Sequence, residues 1–110
     1  MKRRLNQRAR TSCSVRTEQG SLVSFYEGVE VSPTGIVVDL GRPVGARDQR
    51  IYVNMEIVLP ERMRPLRALA RPVWFSGTRQ AYKFVRMSDV DRLNLAEHVD
   101  LAEIRDLVMH

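Results

Sequence analysis

The sequence predicts a small, mainly β domain, an antiparallel barrel or sandwich of six short strands followed by one C-terminal helix. Three observations lead to this fold class. The chain has 110 residues, the length of a single domain. Segments rich in β-branched and aromatic residues recur between short turn signals. A helical pattern free of Gly and Pro occurs at the C-terminal end alone.

The first 11 residues are predicted to form a flexible basic arm. Their apolar side chains are Met1, Leu5 and Ala9, too few to offset the entropy of ordering the segment. Residues 1–16 hold six of the 18 Lys and Arg residues and no acid, a local charge of +6, so the remainder, with 12 basic and 13 acidic residues, sums to −1. We therefore expect the arm to become ordered when it binds an anion, and the domain itself to span residues 12–110.

Turn signals separate the predicted strands, which comprise residues 12–17, 21–31, 36–39, 51–59, 66–75 and 81–85. Gly20 marks the first turn, and Ser32-Pro33-Thr34-Gly35 has the signature of a type I turn. Alternation of apolar and other residues is clearest over residues 51–59. The sequence Ser76-Gly77-Thr78-Arg79 predicts a hairpin before the last strand.

The predicted helix spans residues 88–110. Ser88 and Asp91 form an S-x-x-D start signal. Apolar residues then follow at three-residue spacing, namely Val90, Leu93, Ala96 and Val99. This apolar face shifts between Val99 and Leu101, so we expect a bend, or two shorter helices, near Asp100.

Composition argues against several classes of protein. The single cysteine, Cys13, cannot form an intrachain disulfide, which is typical of a reducing compartment. One cysteine and two histidines are too few for a usual zinc site, and we expect Cys13 to be a buried small side chain and His98 and His110 to lie at the surface. No apolar run exceeds three residues, so neither a signal peptide nor a membrane span is predicted. We expect a cytoplasmic protein without catalytic activity or a cofactor.

Two short motifs carry the functional information. An R-x-x-x-R motif in the arm and an E-x-S-x-x-G motif at the second turn comprise Arg4, Arg8, Glu30, Ser32 and Gly35. The planar guanidinium of arginine suits phosphate oxygens and the O6/N7 edge of guanine. Taken alone, the first motif is typical of a solvated basic tail and the second of a hairpin turn.

Together, in this order and followed by the strands and helix, the motifs resemble those of the PilZ domain, a bacterial receptor module for cyclic di-GMP. The resemblance spans essentially the whole chain and implies a six-stranded antiparallel β-barrel with a C-terminal helix. It implies that Arg4 and Arg8 grip phosphate and guanine while Ser32 and Gly35 belong to the part that reads the other guanine. Glu30 departs from the family's Asp or Asn by one additional methylene.

Two further residues are candidates for the same site. In proteins that this chain resembles, an arginine at the position of Arg3 accompanies binding of two intercalated ligands, so two cyclic di-GMP molecules per chain are expected. With Val73 and Phe75 pointing into the core, strand alternation turns Trp74 outward, where its indole can stack on a guanine. Packing of Trp74 beneath the C-terminal helix is the alternative.

The resemblance leads to the hypothesis of a cyclic di-GMP receptor that orders its arm and thereby alters a surface read by a protein partner. An alternative is a PilZ-like adaptor that binds the nucleotide weakly or not at all, which Glu30 favours. A third hypothesis is a nucleic-acid binder that uses the basic arm. The near-neutral charge of residues 17–110 and their few aromatic side chains disfavour it.

Overall fold

The computed structural model describes residues 9–49, 51–60 and 62–109, which form a closed antiparallel barrel of six strands followed by one helix. The predicted barrel is confirmed. A 3-10 turn over Ala46–Gln49 lies between the third and fourth strands. The strands and the helix are β1 (Ala9–Gln19), β2 (Leu22–Ser32), β3 (Gly35–Asp39), β4 (Val53–Val58), β5 (Leu66–Ser76), β6 (Arg79–Met87) and α1 (Asp89–Met109).

The strand order around the barrel is β1-β2-β3-β6-β5-β4, and pairing of β4 with β1 closes it. Consecutive strands pair with each other except at β3, which pairs with β2 on one side and with β6 on the other. The β2–β3 hairpin therefore lies beside the β5–β6 hairpin. This arrangement brings the Ser32–Gly35 turn next to strands that are about 50 residues away in sequence.

Alternation along each strand fills the barrel with apolar side chains. In β4, Val53, Met55 and Ile57 are buried while Asn54 and Val58 are exposed, as the period-2 pattern predicted. Each fully buried aliphatic side chain of this kind contributes about 1.5–3 kcal/mol of hydrophobic stabilisation. Cys13 is buried among these side chains, as expected.

Two tight turns depend on glycine. Gly20 and Gly77 adopt positive φ angles of 58° and 60°, which residues with a Cβ rarely adopt. Gly77 and Thr78 connect β5 to β6 in a two-residue hairpin, as the sequence predicted.

The boundary between arm and barrel differs from the prediction. The strand β1 begins at Ala9, and Ala9 and Arg10 lie opposite Val31 and Glu30 of β2. Residues 9–11, expected in the flexible arm, thus belong to the barrel, because pairing with β2 supplies the ordering that their composition lacks. The rest of the predicted arm, residues 1–8, lies outside the described residues.

The helix begins as predicted and then departs from the expected pattern. The hydroxyl of Ser88 accepts a hydrogen bond from the backbone N–H of Asp91 at 3.1 Å, which caps the first turn. The helix α1 continues as a single element to Met109, so the expected alternative of two shorter helices near Asp100 is wrong. Among the described residues, no helix combines the length and the apolarity needed to cross a bilayer.

The helix face that packs on the barrel agrees with the predicted apolar series only in part, at Val99. The buried residues of α1 are Leu95, His98, Val99 and Ala102. Val90 and Leu93, predicted to face the core, are 67% and 63% exposed, and His98, expected at the surface, is 3% exposed. The helix carries apolar residues on two opposite faces, and tertiary contacts select one of them. His98 lies 3.0 Å from the hydroxyl of Thr11, and this polar contact makes its burial possible.

Candidate functional site

A shallow groove of about 220 Å³ crosses the outer surface of the barrel. It runs over β2, β3, β6 and β5 along a row of cross-strand partners. Glu30 lies opposite Val37, Val37 opposite Ala81, and Ala81 opposite Trp74. Because neighbouring strands are about 4.8 Å apart, Glu30 and Trp74 are separated by about 14 Å measured along the curved sheet, at the two ends of this row. Two predicted site residues that are distant in sequence therefore border the same groove.

The floor of the groove is apolar. Val37 and Ala81 are each 5% exposed, but neither belongs to the hydrophobic cluster inside the barrel. A floor of small apolar side chains, with a carboxylate at one end and an indole at the other, suits a planar aromatic ring that also carries N–H donors.

Ser32 shapes the turn at one end of the groove. Its hydroxyl oxygen accepts hydrogen bonds from the backbone N–H groups of Thr34 and Gly35, at 3.2 and 3.1 Å. The side chain is buried and closes the turn locally, in the manner of Ser residues that bond their own backbone. The predicted turn is thus confirmed, and the serine fixes the backbone conformation that faces the groove.

Gly35 allows two strands of the barrel to approach each other. A Cβ atom at this position would collide with the backbone carbonyl oxygen of Tyr82 on β6, at a distance that real Cβ atoms essentially never show. The adjacent backbone N–H of Phe84 donates to the carbonyl oxygen of Thr34 at 2.8 Å. The close neighbour of Gly35 is therefore the barrel itself, and this contact fixes the turn against β6.

Trp74 lines the groove as predicted, although the expected reason is wrong. Val73 and Phe75 do not point into the core, since they are 44% and 45% exposed. A bulge shifts the register of β5 between Pro72, which opposes Tyr82, and Trp74, which opposes Ala81. The additional residue disrupts the alternation, and both Val73 and Trp74 line the groove.

Gln80, which was not among the predicted site residues, supports this bulge from inside the barrel. Gln80 is fully buried, and its side-chain amide donates to the carbonyl oxygens of Trp74 at 2.8 Å and Ala81 at 2.7 Å. Its own oxygen accepts a hydrogen bond from the side chain of Gln49 at 2.5 Å. The sequence signal for Gln80 was its place in the alternation of β6, where it shares a face with the apolar side chains of Tyr82 and Phe84.

Lys83 is a second residue that the sequence analysis did not identify. It lines the groove, is exposed, and lies opposite Gly35 in the β3–β6 ladder. Its position gives the groove a cation beside the Ser32–Gly35 turn.

The arm joins the barrel at this same turn. Ala9, the first residue of β1, lies opposite Val31, the residue that directly precedes Ser32 in β2. Three predicted site residues, Arg3, Arg4 and Arg8, lie outside the described residues. The described residues thus bring Glu30, Ser32, Gly35 and Trp74 together around one groove.

One end of the barrel holds a separate polar cluster. Arg42 donates two hydrogen bonds to the carboxylate of Asp48, at 3.1 and 3.0 Å, and these bonds raise the pKa of Arg42. Burial inside the barrel raises the pKa of Tyr82 to about 12. The backbone of Tyr82 meets Gly35 while its side chain faces this cluster, so Tyr82 connects the groove to the interior of the barrel.

Comparisons with known proteins identify the fold. No protein-family model matches the chain, and no curated protein matches it by sequence. Among solved structures, MotI/DgrA, an inhibitor of motility from Bacillus subtilis, is similar with a TM-score of 0.79 and 18% identity, over 96% of this chain and 53% of that one. This chain therefore spans about half the length of MotI/DgrA.

Two further structures are similar over nearly their whole length. The PilZ domain of YcgR from Escherichia coli, solved with c-di-GMP, has a TM-score of 0.67 and 13% identity, over 96% of this chain and 95% of that one. An uncharacterised Legionella protein has a TM-score of 0.56 and 14% identity, over 94% of this chain and 98% of that one. At these identities the likeness concerns the fold. The chain has the PilZ-like fold, a closed six-stranded barrel with a C-terminal helix.

Proposed function

We propose that this domain is a receptor for cyclic di-GMP, which it binds between its N-terminal arm and the outer groove of the barrel. The observation that carries the proposal is the position of Ala9. It lies opposite Val31, so the chain enters the barrel beside the Ser32–Gly35 turn, and Arg8 is bonded directly to Ala9. The PilZ domain of YcgR, whose fold is similar, was solved with c-di-GMP, which supports this choice of ligand.

Each residue type suits a different part of the ligand. Arg4 and Arg8 supply forked donors for phosphate oxygens or for the O6/N7 edge of guanine. The Glu30 carboxylate accepts hydrogen bonds from guanine N–H groups, and the Trp74 indole stacks on a guanine face. Pockets for small molecules usually enclose about 300–1,000 Å³. The groove formed by the described residues is smaller, and we infer that the arm supplies the opposite wall.

The arm also sets the stoichiometry that we propose. Arg3 adds a third guanidinium immediately before the R-x-x-x-R motif. Two intercalated cyclic di-GMP molecules carry four phosphate charges, and three arginines on one short segment balance most of this charge. We expect two ligands per chain, and a ratio nearer one in an Arg3→Ala variant, measured by calorimetric titration.

We propose that ordering of the arm changes the binding of a protein partner through its effect on α1. Thr11, three residues after Arg8, has its hydroxyl 3.0 Å from Nε2 of His98, a buried residue of the helix. The opposite face of α1 exposes an apolar stripe that comprises Val90, Leu93, Leu101 and Ile104. A change in conformation at the start of β1 therefore affects α1 through the contact between Thr11 and His98. We infer that the exposed stripe on α1 is the surface that binds the protein partner.

The adaptor hypothesis remains the second candidate, because the apolar stripe offers a docking surface that needs no nucleotide. Calorimetric titration separates the two. The receptor hypothesis predicts binding of cyclic di-GMP, and an Arg8→Ala variant that binds about ten- to a hundredfold more weakly. Arg86→Ala is the matched control, since Arg86 is exposed and lines a surface outside the groove. GTP and a single-stranded oligonucleotide test the nucleotide and nucleic-acid alternatives. Unchanged affinity in a folded Arg8→Ala protein eliminates the proposed site.

A further inference from the structure

The next outward-facing row of cross-strand partners, two residues along β6 from the row of Glu30 and Trp74, ends in two cations. Ser32 lies opposite Gly35, Gly35 opposite Lys83, and Lys83 opposite Arg71 on β5. Arg71 and Lys83 are both exposed, whereas Pro72 and Tyr82, the next pair in the ladder, are both buried. Directly opposed residues of antiparallel strands share a face, so the two cations stand side by side on the outer surface that holds the groove.

This pair has an unfavourable electrostatic environment. Like charges directly opposite each other on paired strands are destabilising. Among the other arginines, Arg16, Arg42, Arg62 and Arg67 lie within 4.0 Å of a carboxylate, whereas exposed residues such as Arg79 and Arg86 have no such ion pair within the described residues. Within the described part of the chain, neither Arg71 nor Lys83 forms such an ion pair. An anion bound between them relieves the repulsion.

We propose that Arg71 and Lys83 form a phosphate subsite at the edge of the groove, so that the barrel holds the ligand's phosphodiester as well as its guanine. This inference rests on the proposed function. A base on the Val37–Ala81 floor lies one row away from Lys83, and successive outward residues of a strand are about 6.5 Å apart. A ribose bridges a distance of this order between its base and its phosphate. With this subsite, residues of the barrel bind the ligand's phosphate independently of the arm arginines.

Calorimetric titration of cyclic di-GMP against charge-neutralising variants tests the subsite. We expect Arg71→Gln and Lys83→Gln each to raise Kd about two- to fivefold, the upper range for solvent-exposed charge pairs, and the double variant to raise it further. Weakening of affinity by added NaCl should be less steep in the double variant, because fewer charges are screened. Arg86→Gln, on the same strand but outside the groove, should bind as the unaltered protein does.

Two further measurements separate a charge contact from a structural role. Lys83→Arg keeps the cation and should retain most of the affinity that Lys83→Gln loses. Without ligand, the Gln variants should melt at the same temperature as the unaltered protein or slightly higher, because the repulsion between the two cations is removed.

The possible outcomes distinguish failure of the subsite from failure of the proposed function. If the unaltered protein binds cyclic di-GMP and the double variant has the same Kd within twofold and the same salt dependence, the subsite is refuted while the proposed function stands. If Lys83→Arg loses as much affinity as Lys83→Gln, the charge is not the cause and the subsite is also refuted. If the unaltered protein does not bind, both proposals are overturned.

Discussion

Replacing Gly35 by alanine tests whether close packing of β3 against β6 holds the groove in shape. The added Cβ would approach the carbonyl oxygen of Tyr82 to less than the 3.0 Å that real Cβ atoms keep, and the obstructing atom is backbone, which cannot rotate away. The two strands must separate locally. Overpacking of this kind costs about 1–3 kcal/mol, and a weakened ladder hydrogen bond adds about 1 kcal/mol. We therefore expect a loss of about 2–4 kcal/mol in the free energy of unfolding.

Gly45→Ala is a matched control for this variant. Gly45 has a φ angle that other residues adopt, and the nearest atom to a Cβ there is a carboxylate oxygen of Asp48, 4.0 Å away. Urea denaturation followed by circular dichroism should show the loss for Gly35→Ala and almost none for Gly45→Ala. Equal stability of the two variants would refute the close approach. If the loss is observed, reduced ligand binding by Gly35→Ala reports a distorted groove and not a missing ligand contact.

Three further predictions concern the groove and the interior beneath it. Glu30→Asp should bind cyclic di-GMP more tightly than the unaltered protein by a factor of a few, because a shorter side chain loses less rotamer entropy. Glu30→Ala should bind more weakly than either. If Glu30→Ala binds as tightly as the unaltered protein, Glu30 is not part of the site. Gln80→Met keeps the volume of the side chain but lacks the amide that bonds the Trp74 carbonyl, so it should lower the free energy of unfolding by about 1–3 kcal/mol and shift the emission of Trp74. Unchanged emission would show that the bulge does not depend on Gln80. Burial raises the pKa of Tyr82 from 10.0 to about 12, so the unfolded chain releases this proton at a lower pH than the folded protein does. The free energy of unfolding should therefore be intact below pH 10 and fall between pH 10 and 12. In alkaline denaturation, Tyr82→Phe should reduce that fall.

The strands were predictable from the sequence because their signals are local. Turn residues at Gly20, Ser32–Gly35 and Ser76–Arg79 and the alternation in β4 all correspond to observed elements. The capped start of α1 was predictable for the same reason, since Ser88 acts on its own helix. The closed barrel required the resemblance, because alternation and turns alone do not distinguish a barrel from a sandwich.

What the sequence could not show depends on contacts between distant residues. The buried face of α1 includes His98, and its burial depends on Thr11, 87 residues earlier in the chain. The exposure of Val73 and Phe75 follows from a bulge that the buried Gln80 supports. The opposition of Arg71 and Lys83 depends on the register between two strands, and a shift of one residue would place them on opposite faces.

The central claim is that one ligand contacts both the arm and the groove. Trp74 is the only tryptophan in the chain, so fluorescence excited selectively at tryptophan, and not at the three tyrosines, reports on the groove. Titration with cyclic di-GMP should change the emission of Trp74 and saturate in the same concentration range as the heat of binding. In Arg8→Ala the same change should require about ten- to a hundredfold more ligand. Heat of binding without a change in Trp74 emission, or an emission change with unaltered affinity in Arg8→Ala, would contradict the account.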